Sequence, residues 1–374
     1  MIPVAEPCIG DEELKNVIEA VKSGWISSKG KFIEEFERDF AKYCGVKYGV
    51  ATANGTVALH LALKALGIGK GDEVIVPTLT FVATANAVTY CNAKPIFVDS
   101  HPEYWCIDPE KIEEKITKNT KAIIVVHLYG NPCDMDWIMD IAEDKGLYVI
   151  EDAAEAHGAE YKGKKVGSFG DIACFSFYGN KIITTGEGGM CITNNEELAE
   201  KMRILRDHGM SKHRKYWHEV VGFNYRMTNL QAAIGVAQLK KLDTFVKKKR
   251  QIAKWYTKEL KELEEKGLIR LHPEMSWAKC VYWMYSILIE DKAKVSSDEL
   301  MKMLEEKGIE TRPFFVPMHQ LPIYKTNERL LVAENLAKKG VNLPSSVNLK
   351  ESTISFICDA INQILRVNNY EYRI

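Results

Sequence analysis

No stretch of this chain is apolar for long enough to cross a bilayer, and Met1-Ile2-Pro3-Val4-Ala5-Glu6 has no basic region followed by an apolar run. A soluble cytoplasmic protein is the expectation. Charge of one sign is lacking too: 50 Lys and Arg against 51 Asp and Glu leave a formal charge of −1, so no global field draws the chain to nucleic acid or an acidic membrane. The basic run Lys247-Lys248-Lys249-Arg250 sits in a helical pattern and reads as a solvated helix face. The nine cysteines form no CxxC pair, and no HExxH-like pattern occurs. That argues for reduced thiols and against a disulfide frame or a zinc site. Two phosphate-loop near-matches fail. Gly158 to Lys165 reads GxxxxGK, but Lys165 stands where Ser or Thr is needed. Gly186-Glu187-Gly188-Gly189 lacks the GxGxxG spacing of a dinucleotide fold, which opposes a nicotinamide oxidoreductase. Repeats, low-complexity segments and long linkers are absent as well.

What is present is ordinary globular composition, 46% hydrophobic and 27% charged over 374 residues, enough for two or three domains and a sizeable core. Apolar positions Leu14, Val17, Ile18 and Val21 predict a helix over Asp11–Ser23 with one apolar face, stopped by Gly24. A second helix is predicted over 32–43. Seven short apolar runs then read as strands: 49–52, 73–77, 95–99, 122–127, 147–151, 172–177 and 189–193. Helical stretches at 57–66, 84–91, 109–116 and 135–145 separate most of them, the pattern of a doubly wound sheet covered on both faces. Residues 229–266 predict a long helix with a break. Further on come a strand at 282–290, a helix opened by the capping box Ser296 to Glu299, a turn and strand at 340–344, and a last helix at 352–366. Tyr161-Lys162-Gly163-Lys164 reads as a hairpin turn.

The chemistry concentrates in Ser176-Phe177-Tyr178-Gly179-Asn180-Lys181-Ile182-Ile183-Thr184-Thr185-Gly186-Glu187-Gly188-Gly189, a lysine just past a buried strand, ringed by hydroxyls, an amide and glycines. A lone lysine is usually solvated. Glycines that let backbone approach a ligand, and hydroxyl and amide donors suited to phosphate, point instead to a Schiff-base lysine beside a phosphate site. The block resembles the cofactor-lysine motif of the DegT-type nucleotide-sugar aminotransferases, a branch of the fold type I pyridoxal-phosphate enzymes. The resemblance runs over nearly the whole chain, and within the family it lies toward the perosamine synthases, whose Trp-Ile-Ser-Ser loop matches Gly24-Trp25-Ile26-Ser27-Ser28-Lys29-Gly30.

The resemblance implies an α/β fold with a seven-stranded, mostly parallel sheet in a large cofactor-binding domain, residues 1–240, and a smaller α/β domain, residues 241–374. It implies pyridoxal 5'-phosphate as cofactor and a homodimer with shared active sites. Lys181 would bind the cofactor and move a proton between the donor's α-carbon and the cofactor. Asp152, at a strand end, would pair with the pyridine nitrogen and keep the ring an electron sink. Gly55 and Thr56, in Asn54-Gly55-Thr56 at a helix start, would cup the phosphate with Ser176; from the residues alone this is equally an ordinary helix cap. Asn224, in Gly222-Phe223-Asn224-Tyr225-Arg226-Met227, would reach the phosphate of the partner subunit's site. Phe81 would stack on the ring, or else pack in the core. Glu155 stands where family members often carry glutamine near the ring hydroxyl, and His157 reads as packing or as support behind the site residues.

For substrate, the resemblance points to Trp25 and Ser27 on the loop above, to Arg226 and Arg312 as anchors for a diphosphate or carboxylate, and to His319 against the sugar; salt bridges and caps are the alternatives. Tyr216-Trp217 face a base or sugar, or pack in the core. The expected reaction is transfer of an amine from glutamate to a nucleotide-linked 4-keto-6-deoxy sugar, GDP-4-keto-6-deoxymannose giving GDP-perosamine. Amination of a UDP- or dTDP-linked 4-keto or 3-keto sugar is the alternative. A sugar dehydratase is disfavoured because such relatives carry histidine in place of Lys181. A non-catalytic regulator is disfavoured by the full set of Lys181, Asp152 and Ser176.

Overall fold

In the computed structural model, which describes residues 1–370, the strands in chain order are β1 (Tyr48–Thr52), β2 (Glu73–Pro77), β3 (Lys94–Val98), β4 (Thr120–Val126), β5 (Tyr148–Asp152), β6 (Glu160–Tyr161), β7 (Lys164–Lys165), β8 (Ile172–Ser176) and β9 (Gly189–Thr193). They continue with β10 (Ile269–Leu271), β11 (Ala278–Lys279), β12 (Tyr285–Ile289), β13 (Arg312–Pro313) and β14 (Gly340–Leu343). The seven predicted strand runs form one sheet in the order β1-β9-β8-β5-β4-β2-β3. Only β9 runs against its neighbours, β8 and β1. Val149, Ile150, Ile172 to Phe175 and Met190 to Ile192 are buried on both faces, as expected of strands sandwiched between helix layers.

The ends of these strands decide what reaches the site. Alternation along β5 sends adjacent acids to opposite sides. Asp152 points toward the carboxyl-end crevice. Glu151, fully buried, accepts hydrogen bonds from His127 Nε2 at 3.1 Å and from the amides of Gly167, Phe169 and Gly170 at 2.6–2.8 Å. His127 Nδ1 accepts from the Cys133 amide, so its proton sits on Nε2, facing the carboxylate. Between these segments, β6 and β7 form the predicted hairpin, with Lys162 and Gly163 at φ 48° and 81°, the double left-handed turn that matches strand twist.

The smaller sheet, β10-β12-β14-β13, packs on helix Ser297–Glu306 and shares one apolar core with helix Glu351–Tyr370. The Ser296 to Glu299 capping box is formed. Helix Asn229–Glu265 joins the two regions without the expected break. Its first part packs on helices Asp11–Ser23 and Lys31–Cys44, its last part on Glu351–Tyr370 and β10. The chain start also crosses over: Ile2 pairs with Ile309, and the Glu6 amide donates to Ser346 Oγ.

Helix Asp11–Ser23 forms as expected; Leu14, Ile18 and Val21 of its apolar face are exposed, Val17 packs against the core, and Glu13 and Ala20 are buried. Glu13 is drawn inward by Lys241 Nζ and Gln238 Nε2, each at 2.7 Å. In the basic run, Lys249 is not solvated: it is buried, and its ammonium donates to the carbonyls of Trp283 and Ser345 at 2.8 and 2.7 Å.

Burial opposes the charge of Glu151, but the bonds from His127, Gly170 and Gly167 outweigh it and hold the carboxyl below the usual glutamate range. A carboxylate depressed in the folded state stabilises above its unfolded pKa and loses that contribution as pH falls through the folded value. Glu151→Gln is therefore expected to lower stability at pH 7 by about 3 kcal/mol, and the gap to the parent to shrink as pH falls below about 4. Urea unfolding at several pH values checks this; equal midpoints at pH 7 would sink it.

Candidate active site

Four strand ends and a helix start converge on a cavity of about 770 Å³. After β1, Asn54 caps helix Gly55–Ala65, its side chain accepting from the Val57 amide at 3.0 Å. The amides of Gly55 and Thr56 are left facing the cavity, at the positive end of the helix dipole. A Cβ on Gly55 would lie 2.8 Å from the Cβ of Ser176 at the end of β8, so glycine is what allows this close approach. After β2, Phe81 projects at the mouth, its ring 55% exposed and 5.9 Å from that of Phe315. It is therefore not a core residue. At the end of β5, Asp152 accepts from Thr84 Oγ1 at 2.8 Å and from the Ala154 amide at 3.3 Å. Burial nevertheless pushes its carboxyl above the ordinary aspartate range. An unmet charge partner beside it would restore the ionised form.

Lys181 lies past β8, on a loop set on an aromatic platform. Phe177 packs against Phe36 and edge-on against Phe40, centroids 4.9 and 5.2 Å apart, and His157 fills the same cluster. Burial, aided by the charge of Lys181, pushes His157 down to about 3, so it is neutral packing, as expected. The Lys181 amine is held between Glu155 Oε1 at 4.0 Å and the face of Trp283, 4.0 Å from the ring centroid. Burial lowers its pKa, while Glu155 and Asp152 pull the other way.

Among the sequence-predicted residues, the cavity brings together Gly55, Thr56, Phe81, Asp152, Glu155, Ser176, Lys181 and Arg312. The others lie elsewhere. His319 is a correction: it is buried beneath β2, with Nδ1 2.7 Å from Thr78 Oγ1 and Nε2 3.2 Å from Glu334, and it does not line the cavity. Arg226 is tied to Asp207 at 2.7 Å and to Asn224 Oδ1 at 3.0 Å, and lines a separate cavity of about 270 Å³ with Arg203, Arg206 and Lys212. The Trp25 and Ser27 carbonyls accept from Asn229 at the start of the long helix, which leaves the Trp25 ring exposed. Tyr216 and Trp217 are exposed and are not packed in the core.

Phe315, in the block Glu310-Thr311-Arg312-Pro313-Phe314-Phe315 that the resemblance sets over the substrate, also lines the cavity. Sequence reasoning missed Tyr129, Trp283 and Asn342, which line it too. Tyr129 follows β4, so the strand-end rule applied to Asp152 was the available signal. The other two come from the smaller sheet and its loops and carry no local pattern.

A largely buried amine and a buried carboxylate at the ends of parallel strands, beside a helix N-terminus narrowed to glycine, define a pyridoxal-phosphate-dependent transferase of the aspartate-aminotransferase type. More narrowly, the chain belongs to the DegT/DnrJ/EryC1/StrS aminotransferase family, whose model matches residues 7–362. It is 49% identical over 363 residues to the GDP-perosamine synthase of Escherichia coli O157:H7, covering 97% of this chain and 98% of that one. It is 50% identical over 366 residues to the GDP-perosamine synthase of Caulobacter vibrioides, again covering 97% and 98%. Among solved structures, the aminotransferase TlmJ from Streptoalloteichus hindustanus superposes with a TM-score of 0.93 at 31% identity, covering 98% of this chain and 99% of that one. The PLP form of a sugar aminotransferase from Streptococcus pneumoniae superposes at 0.91 with 26% identity, covering 98% and 99%.

The residues present fit the cofactor: free helix amides and the Gly55–Ser176 cradle suit its phosphate, and the elevated Asp152 suits its ring nitrogen. Ser176→Ala removes one hydrogen bond to a charged phosphate, worth about 1.5–3 kcal/mol. Gly55→Val puts a side chain into the cradle. Cofactor affinity, read by fluorescence titration, is expected to fall roughly 10- to 150-fold for the first and also for the second. Unchanged affinity in Gly55→Val would rule out this cradle.

Proposed function

We propose that the chain moves an amino group from glutamate to C4 of GDP-4-keto-6-deoxymannose, yielding 2-oxoglutarate and GDP-perosamine for surface polysaccharide such as O-antigen. The observation that carries the chemistry is the buried Lys181 amine beside two carboxylates, at a strand end where a fold type I enzyme keeps its reactive group. Near-full-length similarity to two GDP-perosamine synthases supports the substrate.

Bound pyridoxal phosphate supplies an electron sink for the carbanion at the donor's α-carbon. The chain's own residues do the rest. Gly55, Thr56 and Ser176 would hold the phosphate, Asp152 would keep a proton on the ring nitrogen, and Phe81 would supply the aromatic face for the ring. Lys181, whose ammonium gives up its proton more readily because of burial, carries the proton from the α-carbon and later delivers one to the aminated sugar carbon. Arg312, half-exposed at the rim, meets an anionic group of donor or sugar nucleotide.

The working unit is a homodimer in the cytoplasm. Its support is the exposed apolar set Leu14, Ile18, Val21, Trp25 and Ile26, together with the position of Trp25, Ser27, Asn224 and Arg226 outside their own chain's lysine cavity. A second copy would receive them: Asn224 at the cofactor phosphate, the others at the sugar nucleotide.

Purified protein with cofactor should show a visible band that glutamate bleaches and one keto sugar from a GDP-, UDP- and dTDP-linked panel restores. Lys181→Ala is expected to lose the lysine-linked band and at least about 10²–10⁴-fold in turnover. A band restored only by a UDP- or dTDP-linked sugar would overturn the substrate, and amino sugar still made by Lys181→Ala would overturn the mechanism.

A further inference from the structure

Glu155 is the one carboxylate within 4.0 Å of Lys181 Nζ among the described residues. Its two oxygens are differently engaged. Oε2 accepts the Tyr129 amide at 2.7 Å, while Oε1 is the atom turned to the lysine. The side chain is only 6% exposed, so water competes weakly for either. The aim is set by an unusual backbone. Tyr129 has φ 53° and ψ 19°, a left-handed conformation that a bulky residue adopts only under constraint. That kink directs its N–H to Glu155 and its carbonyl to the Trp283 amide at 3.0 Å. Trp283 in turn covers Lys181 and donates through Nε1 to the Asn180 carbonyl at 2.8 Å. One strained residue thus fixes both the acid and the ring that confine the amine. Asp152 is held away from this exchange by Thr84 and Ala154.

We propose that Glu155 and Lys181 are a proton-sharing pair: whenever Lys181 is a free amine, the proton it sheds to become a base or nucleophile goes to Glu155. This rests on Lys181 being the reactive amine. In the transfer an Nζ–H bond breaks and an Oε1–H bond forms; ammonium and carboxylate become amine and carboxylic acid, with no change in oxidation state or net charge. The 4.0 Å gap closes by a small lysine rotation or one bridging water. In a buried site two neutral groups compete well with an ion pair, because each charge has lost its hydration.

The charged and titratable groups around the pair are Asp152 from β5, Tyr129 from the turn after β4, Tyr178 and Glu187 from the lysine's own loop, Tyr90 from helix Ala83–Tyr90, neutral His157 from the segment carrying Glu155, and Arg312 from β13 at the cavity rim. Burial, with a smaller push from Asp152, raises Glu155 to about 7 against the pull of Lys181 and the Tyr129 amide. Burial lowers Lys181. The two proton affinities therefore converge. A glutamine at 155 would keep the shape and the Tyr129 contact but could not take the proton.

The test is competitive acetylation of the full chain, cofactor-free and loaded with pyridoxamine 5'-phosphate, with Lys181 labelling read by mass spectrometry from pH 5 to 10. The parent is expected to titrate in two steps, as coupled groups do. Glu155→Gln should give one step moved to lower pH, because the ammonium has lost its anion, with severalfold more labelling at pH 7. Glu155→Asp should keep two steps. A Glu155→Gln profile that superimposes on the parent or moves to higher pH would overturn the pair, and so would an Asp variant that behaves like the Gln variant. Labelling reads the amine whether or not an amino sugar is made, so failure of the proposed reaction and failure of this pair are separate results.

Discussion

The constraint on which the rest of the site depends is the burial of one primary amine. An ammonium taken out of water is costly, and an amine left fully charged is neither base nor nucleophile. Lys181 is placed between these limits by a balance: burial favours the neutral amine, and Glu155, Asp152 and the Trp283 face favour the charged one. Each of these groups is supplied by a different element. β5 brings Asp152, the segment after it brings Glu155, and the segment before β12 brings Trp283. The sheet brings them together because its parallel strands end on one side, which is also where free helix amides gather.

The same strand shows how little sequence distance separates structure from chemistry. Glu151 and Asp152 are neighbours, both buried, and they are pushed in opposite directions. Glu151 has four donors and stays a carboxylate that pins the loop 167–170. Asp152 has two, and burial prevails. A carboxylate with its hydrogen bonds met is finished structure; one with capacity left is prepared for a ligand that brings a positive charge.

The sheet was legible in the sequence because strands are local, and Lys181, Ser176, Asp152 and Gly55, expected to share a site, do line one cavity. A strand writes its burial into five consecutive residues, and Lys181, Ser176, Asp152 and Gly55 each sit at the end of such a run. The exposure of Leu14, Ile18 and Val21 was not legible, because periodicity identifies an apolar face but not what covers it. Lys249 was misread for the converse reason. Four adjacent cations look solvated, yet a helix turns every residue by 100°, and one of the four had to face the Trp283 and Ser345 carbonyls. His319 looked chemical because of its residue type; its position beneath Thr78 is a tertiary fact with no local trace.

Lys249 also ties the two regions of the chain together at the point that matters. Its ammonium, on the long helix, donates to the carbonyl of the residue whose ring covers Lys181 and to that of Ser345 just past β14. Ser345 Oγ accepts from the Tyr285 amide at the start of β12. The helix, β12, β14 and the lysine cover are thus joined through one buried amine with no carboxylate partner of its own among the described residues, and burial lowers its pKa to about 7. A side chain without N–H donors there would leave two buried carbonyls unmatched, so the position demands a donor that reaches both. Any shift of the smaller sheet relative to the long helix must pass through these bonds. It would therefore move Trp283 and change how the amine is confined.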